Sequence, residues 1–362
     1  MNFDFSDDQR LLQQAVGEML ADLSTSAAVR EVLEGRSLYS APVWSKLIEM
    51  GAATAALPEA YGGAGLGHLE LCLVAEEAGR QLAAVPLASS FYLAAELILR
   101  AGNAAQRQQW LPEIASGRLV ATAALDSAER YRAPAALRLE NGRLHGRCAL
   151  LVDGLLADLA VLQVGSQLVL VDLRQAGIER EALPALDPSR PLAAVSFDGV
   201  AAELLAEDDT SAVIERVRNG AAVLLAFEQI GGAARILEDT RSYSLERKAF
   251  GRQIGSFQAI KHKMAEIYAA IELARVHAYY GAWALSSDAP ELARAAAAAR
   301  VSATRAYVFA AEEGIELHGG IGFTWEMDCH LHYRRARHLG QILGSEHLWR
   351  ARLADSLIKE AA

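Results

Sequence analysis

The sequence predicts an α+β protein with an N-terminal all-α domain, a middle β-domain and a C-terminal helical bundle. Three observations carry this. Apolar residues recur at helical spacing up to about Leu119. Short apolar runs separated by turn residues then fill the stretch from Ala121 to Val200, and helical spacing returns from Asp209 to the end. Helices and strands segregated in this way mark α+β, whereas a doubly wound chain alternates them. The expected domains are residues 1–120, 121–207 and 208–362.

Each element has a local reason. Ser6-Asp7-Asp8-Gln9 has capping-box spacing, with two acids in the turn where the helix dipole favours them. Leu12, Val16, Met19, Leu20 and Leu23 follow as one apolar stripe. A second helix is expected from about Pro42 to Met50, stopped by Gly51. The prolines and glycines of Leu57–Gly67 forbid a regular helix, so this stretch is a loop. Helical spacing resumes through Leu69–Leu82, Leu93–Ala101 and around Gln106–Leu111. In the middle block Asn141-Gly142 marks a hairpin ahead of Leu144–Val152, and Gly165-Ser166 joins Leu159–Gln163 to Leu168–Val171. The apolar strands imply burial on both faces. Asp208-Asp209-Thr210-Ser211 caps a long helix through Val223 and Leu237. Leu237–Tyr243, Gln258–Leu285 and Leu292–Ile315 are further helices, suited to an antiparallel bundle.

Composition bounds the function. The chain has 362 residues, 52% hydrophobic and 22% charged, which describes a folded protein with a sizeable core. Lys and Arg number 35 against 45 Asp and Glu, a formal net charge of -10. That balance argues against nucleic acid as a partner and leaves room for a local basic pocket. The first residues have no basic n-region or apolar h-region, and the longest apolar runs are interrupted before they could span a bilayer, so no membrane partner is expected. Cys72, Cys148 and Cys329 are widely spaced without a CxxC, which points to a reduced, cytoplasmic compartment.

Two constellations carry chemistry. Arg247-Lys248-Ala249-Phe250-Gly251-Arg252 leads into Gln253-Ile254-Gly255-Ser256-Phe257-Gln258 and joins three cations, two glycines and an aromatic pair. This suits an anionic ligand bearing a flat ring; the alternative is a surface loop whose cations merely suit a helix C-terminus. In Leu317-His318-Gly319-Gly320-Ile321-Gly322-Phe323-Thr324, three glycines in four positions expose N–H groups that can meet phosphate oxygens. The alternative is a helix stop after Glu316. Cys329-His330-Leu331-His332 argues only weakly for a metal: His330 and His332 share a face on a strand, and the context is helix or loop. No metal is expected.

With the domain order, these pieces resemble the flavin-dependent acyl-CoA dehydrogenase family over nearly the whole chain. The resemblance rests on Pro58-Glu59-x-Tyr61-Gly62-Gly63, on Arg247-Lys248-x-Phe250-Gly251 with Gln258, and on Gly319-Gly320-x-Gly322-Phe323. It implies a C-terminal four-helix bundle, FAD as cofactor and an acyl-CoA thioester as substrate. It further implies that Arg247 and Phe250 meet the adenosine-diphosphate half of FAD across a dimer interface, with Gln258, Gly319, Gly320 and Gly322 in the same cofactor region. The implied reaction is α,β-dehydrogenation. A carboxylate takes the α-proton, the β-carbon gives hydride to the flavin, and hydrogen bonds on the thioester carbonyl stabilise the developing enolate.

The chain departs from the family pattern where the chemistry sits. Gly344 stands in the loop position that usually carries the base; Glu346, two residues on, is the candidate base. Other members carry the base at a position that falls near Ala221. Glu228, the alternative, lies seven residues on, nearly on the same helical face but about 10 Å along the axis. Leu150-Leu151-Val152 replaces the Trp-(Ile or Ser)-Thr stretch beside the flavin ring, Leu125-Asp126-Ser127 replaces Thr-Glu-Pro, and Glu316 replaces a Gln near the pyrophosphate. Three readings follow. The chain is a working dehydrogenase, or a non-catalytic half-site subunit completed by a homologous partner, or a flavin monooxygenase or oxidase on the same fold. Assembly through the C-terminal bundle, as a homo- or hetero-oligomer, is expected.

Overall fold

A computed structural model describes residues 5–125, 137–206 and 209–361. Asp126, Ser127 and Asp208, named above, lie outside the described residues. Helices α1 (Asp7–Leu23), α2 (Ser26–Leu33), α3 (Ala41–Glu49), α4 (His68–Arg80), α5 (Ala95–Ala101) and α6 (Ala104–Ala115) come first. Strands β1 (Ala121–Ala124), β2 (Arg138–Glu140), β3 (Arg143–Val152), β4 (Leu159–Val164), β5 (Gln167–Asp172), β6 (Ile178–Leu183), β7 (Leu192–Ala201) and β8 (Glu203–Leu204) follow. The last block holds α7 (Ser211–Glu246), a short hairpin of β9 (Lys248–Ala249) and β10 (Arg252–Gln253), α8 (Gln258–Ser286), α9 (Leu292–His318), α10 (Cys329–Leu339) and α11 (Glu346–Ala361). Helices, strands, helices: the α+β class expected from the sequence is the class observed.

The chain divides into two compact units. The first comprises Met1–Ala27, Cys72–Ala83 and Ala222–Ala362. In it α9 packs against α8, α10 and α11. Small residues let the helices approach closely. A Cβ on Gly231 of α7 would lie 1.8 Å from the Glu76 carbonyl of α4, and one on Gly79 would lie 1.8 Å from the Glu228 carbonyl, so backbone meets backbone at this crossing. Gly232 likewise leaves room for the Tyr307 ring of α9. Such neighbours explain why the middle of α7 is apolar on nearly every face. It is long and apolar enough to cross a membrane, but 83% of its apolar window is buried inside the protein. The break at Leu237 read from the sequence is absent, and α7 runs on as one helix. The capping box of α1 forms: Ser6 Oγ accepts the Gln9 N–H at 3.2 Å and Gln9 Oε1 accepts the Ser6 N–H at 2.9 Å.

The second unit comprises Ala28–Leu71 and Ala84–Ala221. Its strands form two sheets, ordered β1-β4-β5-β8 and β2-β3-β7-β6. Leu144, Leu151, Leu162, Val169, Val195 and Phe197 belong to the core cluster they enclose. Both hairpins appear where turn chemistry put them. Asn141 and Gly142 take φ of 50° and 73° between paired Glu140 and Arg143, and Gly165 takes φ of 63° between β4 and β5. β4 and β5 are buried along most of their length. β6 is not: it lies at a sheet edge and alternates half-buried with exposed residues, which corrects the expectation of two buried faces. Two helical pieces escaped the sequence reading. α2 spans only eight residues, too few for its period to stand out. Ala88–Ala94 form a wholly buried π-helix ahead of α5, where a uniform apolar run has no readable period. In the Leu57–Gly67 loop, a Cβ on Gly63 would lie 2.0 Å from the Leu57 carbonyl, a close approach that only glycine permits.

Candidate flavin and acyl thioester site

In the bundle unit, the end of α7 delivers Arg247 to the β9–β10 hairpin. The hairpin closes through Ile254 N–H donating to the Arg247 carbonyl at 2.9 Å. Its turn is Phe250-Gly251, with φ of 52° and 78°. A phenylalanine in the left-handed region is strained, and here the residue is 95% exposed. Phe250 meets Phe257 edge to face at 6.2 Å, and the Arg252 guanidinium lies 3.9 Å over the Phe257 ring. Gln258 is the first residue of α8, directly after this cluster.

The second turn follows α9. Gly319 has φ 66° and ψ -149°, a conformation open only to glycine, and its N–H donates to the Glu316 carbonyl. Gly319–Phe323 wind as a short 3-10 helix. A Cβ on Gly319 or Gly320 would meet nothing within 4 Å, so the backbone there borders open space, whereas Gly322 packs against the Ile315 carbonyl. Phe323 is 76% exposed and Glu316 is exposed. An exposed cation, bare aromatic edges and an uncovered glycine backbone fit a phosphate-bearing planar ligand; the carboxylate of Glu316 fits it poorly.

The two carboxylates expected to act as base are both engaged. Glu346 was expected in the loop but opens α11, whose first N–H groups include that of Leu348, accepted by Ser345 Oγ at 3.3 Å. Glu346 Oε1 accepts from Arg305 Nε at 2.7 Å, an ion pair exposed to solvent. Glu228 is buried, 3.6 Å from the Arg335 guanidinium, which itself donates to the carbonyls of Leu82 and Ala83. Gly344 takes φ of 102°, and a Cβ there would lie 2.5 Å from Leu348. The loop around it is pinned by Arg300, fully buried, which donates to Gln229 Oε1 and to the carbonyls of Leu339 and Ile342. Burial pushes the Arg300 guanidinium down to about 10, against a partial lift from Glu228.

His330 and His332 sit on α10, not on a strand. His332 is buried beside the Tyr307 hydroxyl at 3.0 Å, and desolvation, helped by the nearby charge of Arg235, holds it down to about 3 and therefore neutral. Burial pushes the Cys329 thiol up to about 12. Among the described residues no three His, Cys, Asp or Glu side chains gather as a metal site.

In the second unit the segment Leu150-Leu151-Val152 ends β3. Leu151 is buried in the sandwich, Leu150 is exposed, and the Val152 carbonyl accepts from Thr122 Oγ1 at 2.6 Å. Next in the chain, Asp153 is buried with φ of 56° and accepts from Ser89 Oγ of the π-helix at 2.6 Å, while Ser90 Oγ donates to the Ala121 carbonyl at 2.9 Å. The hydroxyls of this region are thus directed into the protein.

Known proteins match this chain along most of its length. The acyl-CoA dehydrogenase N-terminal domain matches residues 6–118 and the acyl-CoA dehydrogenase C-terminal domain residues 211–358. Acyl-CoA dehydrogenase IpdE2 of Mycobacterium tuberculosis is 35% identical over 94% of each chain. The chain belongs to the acyl-CoA dehydrogenase family. Among solved structures, a variant of the Tcur3481-Tcur3483 steroid ACAD superposes with TM-score 0.89 at 29% identity, over 98% of this chain and 99% of that one. A chain of the ChsE4-ChsE5 complex from Mycobacterium tuberculosis does so with TM-score 0.90 at 26% identity, over 99% of both.

Acyl-CoA dehydrogenases are flavoprotein oxidoreductases acting on CH–CH donors, so FAD is the expected cofactor of an acyl-CoA dehydrogenase-like chain such as this one. Sequence reasoning reached the Arg247 and Gly319 turns but missed Arg300 and Tyr243. Nothing local signals them: each acquires its partner only when helices far apart in sequence pack.

Proposed function

We propose that this chain is one subunit of a heteromeric acyl-CoA dehydrogenase, lending half of an FAD site to a homologous partner that carries the base. The observation that carries this reading is the contrast between the two halves of the site. Arg247, Phe250, Gly319 and Gly320 stand preformed and exposed, whereas Glu346 and Glu228 are held by Arg305 and Arg335 and Gly344 offers no carboxylate. Exposed Phe250, Phe323, Tyr268, Leu273 and Val276, all in the bundle unit, support assembly through that unit. In this reading residues 1–120, 121–207 and 208–362 are the three domains of a cytoplasmic protein.

FAD, when bound, supplies a hydride acceptor for the substrate β-carbon. The residues of this chain bind and orient. Arg247 would offer a guanidinium to the diphosphate, Phe250 and Phe257 would offer ring faces and edges to the adenine, and Gly319 and Gly320 would let the backbone approach, with Gly322 packed behind them. Gln258 adds an amide next to the same cluster. The α-proton leaves to a carboxylate of the partner. A ring-bearing acyl-CoA is the proposed substrate class, supported by the likeness to a steroid ACAD, while the likeness to a chain of the ChsE4-ChsE5 complex supports the heteromeric assembly. The test is to purify the chain alone and with each homologous subunit encoded near it, and to record flavin absorbance and acyl-CoA-dependent dye reduction. Flavin and turnover that appear only with a partner meet the proposal; full turnover by the chain alone refutes it.

A further inference from the structure

Five features of the bundle unit converge on one pair of rings. Tyr243 lies one helical turn before Arg247, whose N–H donates to the Tyr243 carbonyl at 2.9 Å, so the last turn of α7 leads straight into Arg247. The Tyr243 ring stacks on His318 with centroids 4.3 Å apart and planes 24° from parallel. The Tyr243 hydroxyl donates to the His318 carbonyl at 3.3 Å, the group that immediately precedes Gly319. His318 is buried, and its Nδ1 lies 2.6 Å from the Gly314 carbonyl. A carbonyl only accepts, so Nδ1 carries the proton and the ring is tethered one turn back on α9. Behind the hairpin, a Cβ on Gly255 would lie 2.9 Å from Ser244 Oγ, so the 3-10 turn that follows β10 is seated on the residue next to Tyr243.

We infer that Tyr243 and His318 are positioning residues that set the spacing between the Arg247 hairpin and the Gly319–Phe323 turn, making them one preformed cradle for a ligand with an adenosine diphosphate moiety. The inference rests on the proposed role of these two turns in holding FAD. Both turns end long helices, and helix ends fray unless something beyond the last hydrogen bond holds them. The stack supplies that hold. It ties the last turn of α7 to the last turn of α9 through rigid rings, and the hydroxyl adds a bond to the backbone from which the glycine turn starts. The cradle is therefore spaced before the ligand arrives, which lowers the ordering cost of binding.

The experiment uses the full-length chain in its assembled complex, with FAD and free ADP as probes, at a temperature where every variant is folded by circular dichroism. Wild type, Tyr243→Phe, Tyr243→Leu, His318→Leu, Arg247→Ala and the Tyr243→Leu/Arg247→Ala double variant are compared for Kd and Tm. Loss of the stack is expected to weaken both probes by about three- to tenfold, whereas Tyr243→Phe, which keeps the stack, stays within about twofold. The double variant is expected to bind no worse than Arg247→Ala, because Tyr243 acts through that turn. Should Tyr243→Leu fail to fold, His318→Leu makes the same test from the other ring. A lower Tm with unchanged Kd in the stack variants, or additive losses in the double variant, overturns the inference. If wild type binds neither probe, or Arg247→Ala leaves both affinities unchanged, the FAD-site reading itself fails.

Discussion

Replacing Glu346 by Gln separates the two leading accounts of catalysis by more than a hundredfold. Glutamine keeps the shape of the side chain and removes its charge and basicity. Glu346 sits in the first turn of α11 and pairs with Arg305 at 2.7 Å, with side chains 33% and 57% exposed. An exposed pair contributes about 0.2–1 kcal/mol and an acid in the first helical turn about 0.3–1 kcal/mol. The substitution should therefore lower stability by at most about 2 kcal/mol and leave a folded complex with its flavin. If Glu346 took the substrate α-proton, its loss would slow turnover by roughly 10²–10⁴. The geometry argues that it does not, so the complex containing Glu346→Gln should turn over within about twofold of wild type. The assay is acyl-CoA-dependent dye reduction at saturating substrate, with flavin content read from the visible spectrum of the same sample. A fall of more than a hundredfold at unchanged flavin content would refute the reasoning and return the base to this chain.

Arg247→Ala should weaken FAD retention by about ten- to a hundredfold in the assembled complex, the range for a charge-assisted contact to phosphate, with little change in Tm; equilibrium dialysis of the flavin checks it. Gly231→Ala should be strongly destabilising, by about 3 kcal/mol or more, because the new Cβ would lie 1.8 Å from the Glu76 carbonyl and the obstacle is backbone, which cannot rotate away. Thermal unfolding reads this directly, and an unchanged Tm would contradict the close crossing of α4 and α7. Glu96 predicts acid sensitivity: burial raises its carboxyl pKa, but hydrogen bonding and charge from His68, then Arg100, outweigh that and hold it below its ordinary 4.5. A depressed folded pKa contributes stability above the unfolded value and loses it as pH falls through the folded one. The stability gap between wild type and Glu96→Gln, read by chemical denaturation, should thus be widest near neutral pH, about 1–3 kcal/mol, and narrow once pH drops below 4.5. A gap that widens in acid would reverse the sign of this argument.

Much of the chain was legible because its signals are local. A capping box lies within four residues, a two-residue hairpin turn within its flanking pairs, and a long helix repeats its period many times. Ser6–Gln9, Asn141-Gly142 and helices α8 and α9 therefore read directly from the sequence. The Arg247 and Gly319 motifs were equally legible, since a glycine that must adopt positive φ and a cation beside it need no distant partner to be noticed. Short or uniformly apolar pieces were not, which is why α2 and the π-helix went unread.

The acids are the opposite case. The role of a carboxylate depends on what lies within about 4 Å of it, and that neighbour is seldom near in sequence. Glu346 is drawn to Arg305, 41 positions away, and Glu228 to Arg335 on α10. Tyr243 finds His318 across 75 residues, and Arg300 reaches the carbonyls of Leu339 and Ile342 from the middle of α9. Sequence could name Glu346 and Glu228 as candidates because residue type is a chemical fact of the chain. Which of them are engaged in ion pairs and which stay open to a ligand is decided when the helices pack, since only packing sets distance, burial and the competing partner.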